Sequence, residues 1–238
     1  MPSTEPPAAP SSPRRPFKLR ETVLEQLRTA IVTGELSEGT LVSAPGLGRA
    51  LGVSATPVRE AMMDLAREGL VETVKNKGFR VTRKSEKELD DLAQVRLLLE
   101  PPAMRLAAGN IDDETHTELL RLADACLGAA EREDLGDYSR HDREFHALVL
   151  AGTGNPQLVE LATSLRVRTR LYGIALLAQR GRLAASAREH HELLELLRAG
   201  DGDGAERLLR THIGHARTAR GRATANEDPP GDPGPGAG

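Results

Sequence analysis

Tryptophan is absent from this 238-residue chain, and aromatic residues make up only 2% of it. A core must therefore be assembled from Leu, Ala, Val and Ile, a composition that suits helices. There is one cysteine, Cys126, so an internal disulfide is excluded. No apolar run approaches the ~18 residues that a membrane-spanning helix needs. The N-terminus lacks the apolar segment of a secretory signal. These absences lead to the expectation of a soluble, cytoplasmic protein with no membrane partner.

Apolar residues make up 39% of the chain, enough for one large or two modest domains. The net charge of −3 is unevenly placed. Between positions 14 and 84, 13 Lys and Arg stand against 8 Asp and Glu, a net of +5. Between positions 85 and 220, 18 stand against 23, a net of −5. The N-terminal third is thus the part suited to a polyanion.

Four segments are expected. Residues 1–16 contain six prolines and read as a disordered tail, as do the Pro- and Gly-rich residues 221–238. Residues 17–83 carry a helix over 19–36 and then a helix-turn-helix over 47–70, with the turn at Gly52-Val53. Ser54 should cap the second helix through its hydroxyl, with Pro57 in the first turn and Val58, Met62, Leu65 and Ala66 facing inward. An apolar stretch over 70–74, a turn at 75–78 and a second stretch over 79–82 form a hairpin wing. From Ser85, where Glu88 completes a capping box, the pattern stays helical. The first helix meets Pro101-Pro102, where it either kinks or gives way to a second helix. Further helices are expected over about 112–131, 137–150, 156–179, 184–199 and 205–220, with a tight loop over 200–204. The fold class is mostly α: a winged helix-turn-helix followed by an antiparallel six-helix bundle over 84–220.

A second helix of this kind places its first turn in the DNA major groove. Ser54, Thr56 and Arg59 are therefore the candidate readers. Arg49, Lys75, Lys77 and Arg80 are candidates for the phosphate backbone, and Gly78 for close approach of the wing to a groove. In the bundle, Asp142 and His146 share a helix face, with His190 and His212 on later helices. Three imidazoles and a carboxylate can hold a divalent metal with positions left open. The same Asp-x-x-x-His spacing also arises as an ordinary surface pair.

The run GVSATPVREAMMDLAREGLVETVKNKGFRV resembles the signature of GntR-type transcriptional regulators. Gly52, Val53, Ser54, Thr56, Pro57, Val58, Arg59, Glu60, Ala61, Leu65, Glu68, Gly69, Leu70 and Val71 all stand in register. Two positions depart from the pattern. Ala55 replaces the usual Arg, and Ala44-Pro45 precedes Gly46-Leu47 where charged residues are common. Residues 85–220 resemble the FCD effector domain of the FadR branch, and the short bundle resembles its VanR-type subgroup. Val95-Arg96 with Leu99-Glu100, Asp142-Arg143-Glu144-Phe145-His146, Glu189-His190 and His212-Ile213 carry that likeness.

The resemblance implies a metal at Asp142, His146, His190 and His212, with zinc or nickel the expected ion and His141, His191 and His215 outside the ligand set. It also implies Arg96 as a contact for a small carboxylate effector, against the alternative of a helical pair with Glu100. A homodimer reading pseudo-palindromic double-stranded operator DNA follows, as a repressor, with residues 82–85 as the hinge. The rival readings are a metalloregulator, in which the metal is the signal, and a metal-dependent hydrolytic enzyme.

Overall fold

The computed structural model describes residues 14–224. Nine helices and three strands lie among them: α1 (Arg14–Val32), β1 (Leu41–Val42), α2 (Ala44–Leu51), α3 (Ala55–Arg67), β2 (Val71–Val74), β3 (Gly78–Val81), α4 (Glu86–Ala107), α5 (Asp113–Glu131), α6 (Leu135–Ala151), α7 (Pro156–Gln179), α8 (Leu183–Arg198) and α9 (Gly202–Thr224). No helix among the described residues is long and apolar enough to cross a membrane.

The helix-turn-helix is α2 and α3. Gly52 closes α2 in the left-handed conformation, at φ 68°, a geometry that a residue without Cβ adopts freely. Val58, Ala61, Met62 and Leu65 form the buried face of α3. On α2 the buried residues are Ala44 and Gly48, and Ala50 is exposed. The wing is one strand larger than expected. β1 pairs with β3, giving an antiparallel sheet in the order β1-β3-β2. Two residues of strand are too few for periodicity to register.

Other boundaries shift. α1 starts at Arg14 and so takes in part of the expected tail, while residues 1–13 and 225–238 lie outside the described residues. α9 starts at Gly202, inside the expected loop, because Asp201 accepts from the Gly204 amide and opens the helix earlier. α4 runs as a single helix through Pro101 and Pro102. Packing holds it there, for Pro101, Ala103 and Met104 are all buried. The capping box forms as expected, with Ser85 and Glu88 each bonding the other's backbone amide.

Two apolar clusters organise the chain. One joins α1, α3 and the wing to Cys126, Ala129, Tyr138, Ile174, Leu177 and Ala187 of the bundle, so the two domains share a core. The other lies deeper in the bundle, around Met104, Leu119, Phe145, Val149, Leu193, Leu197 and Leu209. Along α6 the order is Tyr138, Asp142, Phe145, and along α8 it is Ala187, His190, Leu193. The polar residues thus form a layer between the two clusters.

Candidate nucleic-acid interface and metal centre

The N-terminal domain presents one cationic, concave face. Arg49, Ser54, Thr56, Arg59, Lys75 and Lys77 are all exposed. A groove of about 470 Å³ runs between α3 and the wing, lined by Arg59, Met63, Pro45, Asn76, Lys77 and Gly78. Ser54 occupies the cap position with an extended backbone, at φ −67° and ψ 161°. Its hydroxyl makes no capping bond, contrary to the sequence expectation. The side-chain cap in this motif is instead Ser43, which accepts from the Gly46 amide at the start of α2. Pro45 in that first turn costs no hydrogen bond, which explains a proline where charge is common.

Gly78 has φ +126°, and a Cβ there would stand 2.2 Å from the Val42 carbonyl oxygen. The residue is accounted for by the close pairing of β1 and β3 around it. Arg80, a further backbone candidate, is paired with Glu72 at 3.1 Å.

The bundle's polar layer brings Asp142, His146, His190 and His212 together. One ligand atom from each lies within 4.8 Å of the others, and all four residues are buried. His146 Nε2 stands 3.2 Å from His190 Nε2. Asp142 Oδ1 is 3.4 Å from His190 Nε2 and 3.8 Å from His146 Nε2. Ligands ~2.0–2.1 Å from a common tetrahedral centre stand about 3.3 Å apart, so these separations suit one transition-metal ion. Burial, helped by the Arg166 charge, pushes the His146 pKa well below its ordinary value, so the ring is neutral and offers a lone pair. Phe145 stacks on His190, with centroids 4.6 Å apart, and fixes that ring.

Two further residues support this centre: Glu189, singled out in the sequence only as part of the Glu189-His190 motif, and Arg166, which carries no signal there. Glu189 bonds His212 Nδ1 at 2.6 Å, the carboxylate–imidazole arrangement that turns the other ring nitrogen toward a metal. It also meets His215 Nδ1 at 3.1 Å. Arg166 bridges two carboxylates, Glu100 at 2.6 Å and Asp142 at 3.3 Å. Nothing in the sequence separates Arg166 from Arg168; the rotation of α7 does, turning Arg166 to Glu100 and Asp142 and Arg168 to the Glu68 carbonyl.

Arg96 is buried. Its Nε meets Glu100 at 2.5 Å and its Nη1 meets Thr169 at 2.8 Å. The helical pair with Glu100 is therefore made. Burial alone would raise the Glu100 pKa, but Arg96 and Arg166 together hold it below the usual carboxylate value. Of the other histidines, His191 pairs with Asp124 at 2.8 Å and His141 lies 3.9 Å from Glu144. Neither belongs to the cluster.

A cationic groove flanked by a helix-turn-helix and a wing, joined to a helical domain with a buried His/Asp cluster, is the arrangement of a DNA-binding regulator. Comparison with known families agrees. Residues 19–81 match the family described as bacterial regulatory proteins, gntR family, and residues 91–215 match the FCD domain. The chain belongs to the GntR family of transcriptional regulators and carries an FCD domain.

It is 33% identical over 199 residues to a probable D-xylose utilization operon transcriptional repressor of Paenarthrobacter nicotinovorans, covering 82% of this chain and 87% of that one. It is 27% identical to the regulator McbR of Escherichia coli, covering 79% and 86%. The solved structure of E. coli McbR superposes with a TM-score of 0.71 at 26% identity, covering 87% of this chain and 99% of that one. A putative GntR regulator from Rhodococcus superposes with a TM-score of 0.65 at 27% identity, covering 86% and 98%. These relatives are named as regulators, and this chain is a transcriptional regulator rather than an enzyme.

Proposed function

We propose that this regulator is a homodimeric repressor whose bundle senses a small carboxylate at a metal centre. The observation that carries the reading is the convergence of Asp142, His146, His190 and His212 from three helices onto one point. Three imidazoles and one carboxylate suit zinc or nickel. The ion, when bound, supplies a Lewis-acidic position for an effector oxygen. Glu189 holds His212 in the ligating tautomer, and Arg166 holds the second oxygen of Asp142.

Thr56 and Arg59, at the start of α3, are the base readers on this reading. Lys75 and Lys77 of the wing, with Arg49 of α2, hold phosphates. Dimerisation is supported by an apolar stripe on α4, where Val95, Leu98 and Leu106 recur at helical spacing, 41%, 75% and 58% exposed. In a dimer, two copies of α3 would meet successive major grooves about 34 Å apart. Effector and DNA then weaken each other by the same factor.

Metal analysis of the purified protein, followed by thermal-shift screening of organic acids with and without chelator, tests the proposal. A carboxylate that raises the melting temperature further in metal-loaded than in chelated protein supports it. If metal alone changes DNA affinity and no acid does, the chain is a metalloregulator.

A further inference from the structure

Asp142 and Arg143 are neighbours on α6 that face different ways. Asp142 joins the His cluster, while Arg143 reaches Glu25 of α1, in the DNA-binding domain. That contact is weak in geometry. Arg143 Nη2 lies 3.3 Å from both Glu25 oxygens, at the long end for a hydrogen bond. Glu25 is shared, since it also accepts from Arg28 Nη1 at 2.5 Å. Arg28 in turn is committed to Glu68, at 2.6 and 3.3 Å. Arg143 is left under-satisfied, and its buried Nη1 has no acceptor.

Arg166 shows the same deficit one helix away. Its side chain is 3% exposed, its two terminal nitrogens hold Glu100 and Asp142, and its buried Nε has no acceptor. Both arginines line one cavity, of about 20 Å³, walled on the bundle side by Ser139, Asp142 and Val167 and on the DNA-binding side by Arg28, Val32 and Leu70. That volume admits a single oxygen-sized group. Three arginines and one aspartate are among its lining residues, and two of those arginines each hold a buried N–H without an acceptor, so an acceptor carrying negative charge suits the place.

We infer that Arg143 and Arg166 form an oxyanion subsite at the junction of the two domains, and that a carboxylate group entering it displaces Glu25 from Arg143. The inference rests on the carboxylate-sensing reading above and adds where the carboxylate acts. One oxygen fits the cavity as it stands. The rest of the carboxylate fits only if α1 gives way at Arg28 and Val32, because the bundle wall is held by the ion pairs of Arg166. Loss of the Glu25 contact and displacement of α1 are then one event. The occupancy of a site beside the metal ligand Asp142 is thereby transmitted to the helix that packs against α3.

Acetate is the probe, with phosphate at equal ionic strength as the second arm. Binding is followed by NMR titration of the full-length protein, and α1 by hydrogen exchange over residues 19–32. Acetate should bind chelator-stripped and metal-loaded protein alike and should speed exchange in α1. Arg143→Met and Arg166→Met should each weaken binding at least about tenfold, as expected for loss of a charge-assisted donor. Glu25→Gln, which removes the competitor and leaves both arginines in place, should tighten it roughly fivefold by the same principle. Unchanged acetate affinity in Glu25→Gln overturns the inference even if the arginine variants fail to fold.

Acetate binding that survives Arg143→Met but is lost on stripping the metal also overturns it, and leaves carboxylate sensing at the metal standing. Binding of phosphate without acetate overturns the carboxylate assignment. Absence of acetate binding overturns the inference as well, and the organic-acid screen then decides the broader reading separately.

Discussion

His146 and His190 approach each other through their Nε2 atoms at 3.2 Å, from helices α6 and α8. Neutral imidazoles so placed can share one proton, or both can give lone pairs to a cation. The position of Asp142 within 3.4–3.8 Å of both nitrogens favours the cation. Purified protein should contain close to one transition-metal ion per chain, and His190→Ala combined with His212→Ala should contain almost none by elemental analysis. Metal at one hundred times its Kd stabilises a fold by about 2.7 kcal/mol. In a domain of this size that corresponds to a melting shift of roughly 5–10 °C on chelation. Full occupancy in the double variant would reject these ligands.

The buried His146 gives the metal-free protein a definite pH dependence. Its folded pKa lies below its unfolded one, because burial disfavours the charged ring. Below the ordinary value of ~6.5 the unfolded chain therefore binds more protons than the folded one. The contribution to stability is present above that value and is lost as the pH falls toward the folded pKa. Stripped protein should melt at progressively lower temperature from pH 7.5 to 5.5, and His146→Gln should have a shallower slope. Equal slopes in the two proteins would count against the assignment.

Arg59 is exposed, lies in the first turns of α3 and lines the groove toward the wing. Loss of a bidentate base contact costs ~1–3 kcal/mol, so Arg59→Ala should raise the operator Kd by roughly 5- to 150-fold. Fluorescence anisotropy with the operator measures it. An unchanged Kd would remove Arg59 from the recognition surface.

Ala55 opens α3 half-buried, with Ser54 and Thr56 exposed on either side. Ala55→Arg should add one phosphate or base contact, tightening DNA binding and steepening its salt dependence by about one unit of slope. Weaker binding by the variant would show that the recognition surface is built around the small residue.

Leu65 is fully buried where α3 meets the cluster shared by both domains. Leu65→Ala should cost about 2–5 kcal/mol. Because the cluster spans the domain junction, calorimetry should show one transition moving down, not two separating. An early isolated transition of the winged helix would contradict the shared core.

The elements most legible in the sequence were those fixed by neighbours in the chain. Ser85 and Glu88 specify a cap three residues apart, Gly52 specifies a left-handed turn, and the inward face of α3 repeats at 3.6 residues. Asp142 and His146 share a face for the same reason. Where the rule depended on a competing local option it failed. Ser54 has the right backbone for a cap, yet its hydroxyl stays unused. α4 continues through two prolines because burial of its flanks outweighs two missing donors.

The sequence by itself determined the family, the order of the elements and the residue types available for a metal. It could not determine which charges meet. Arg166 reaching Asp142, Glu189 reaching His212, Arg143 reaching Glu25, and β1 completing the wing all join residues far apart in the chain. Such contacts depend on how each helix is rotated and how deeply it packs. Those are set by the two apolar clusters, which leave the polar layer between them with only each other as partners.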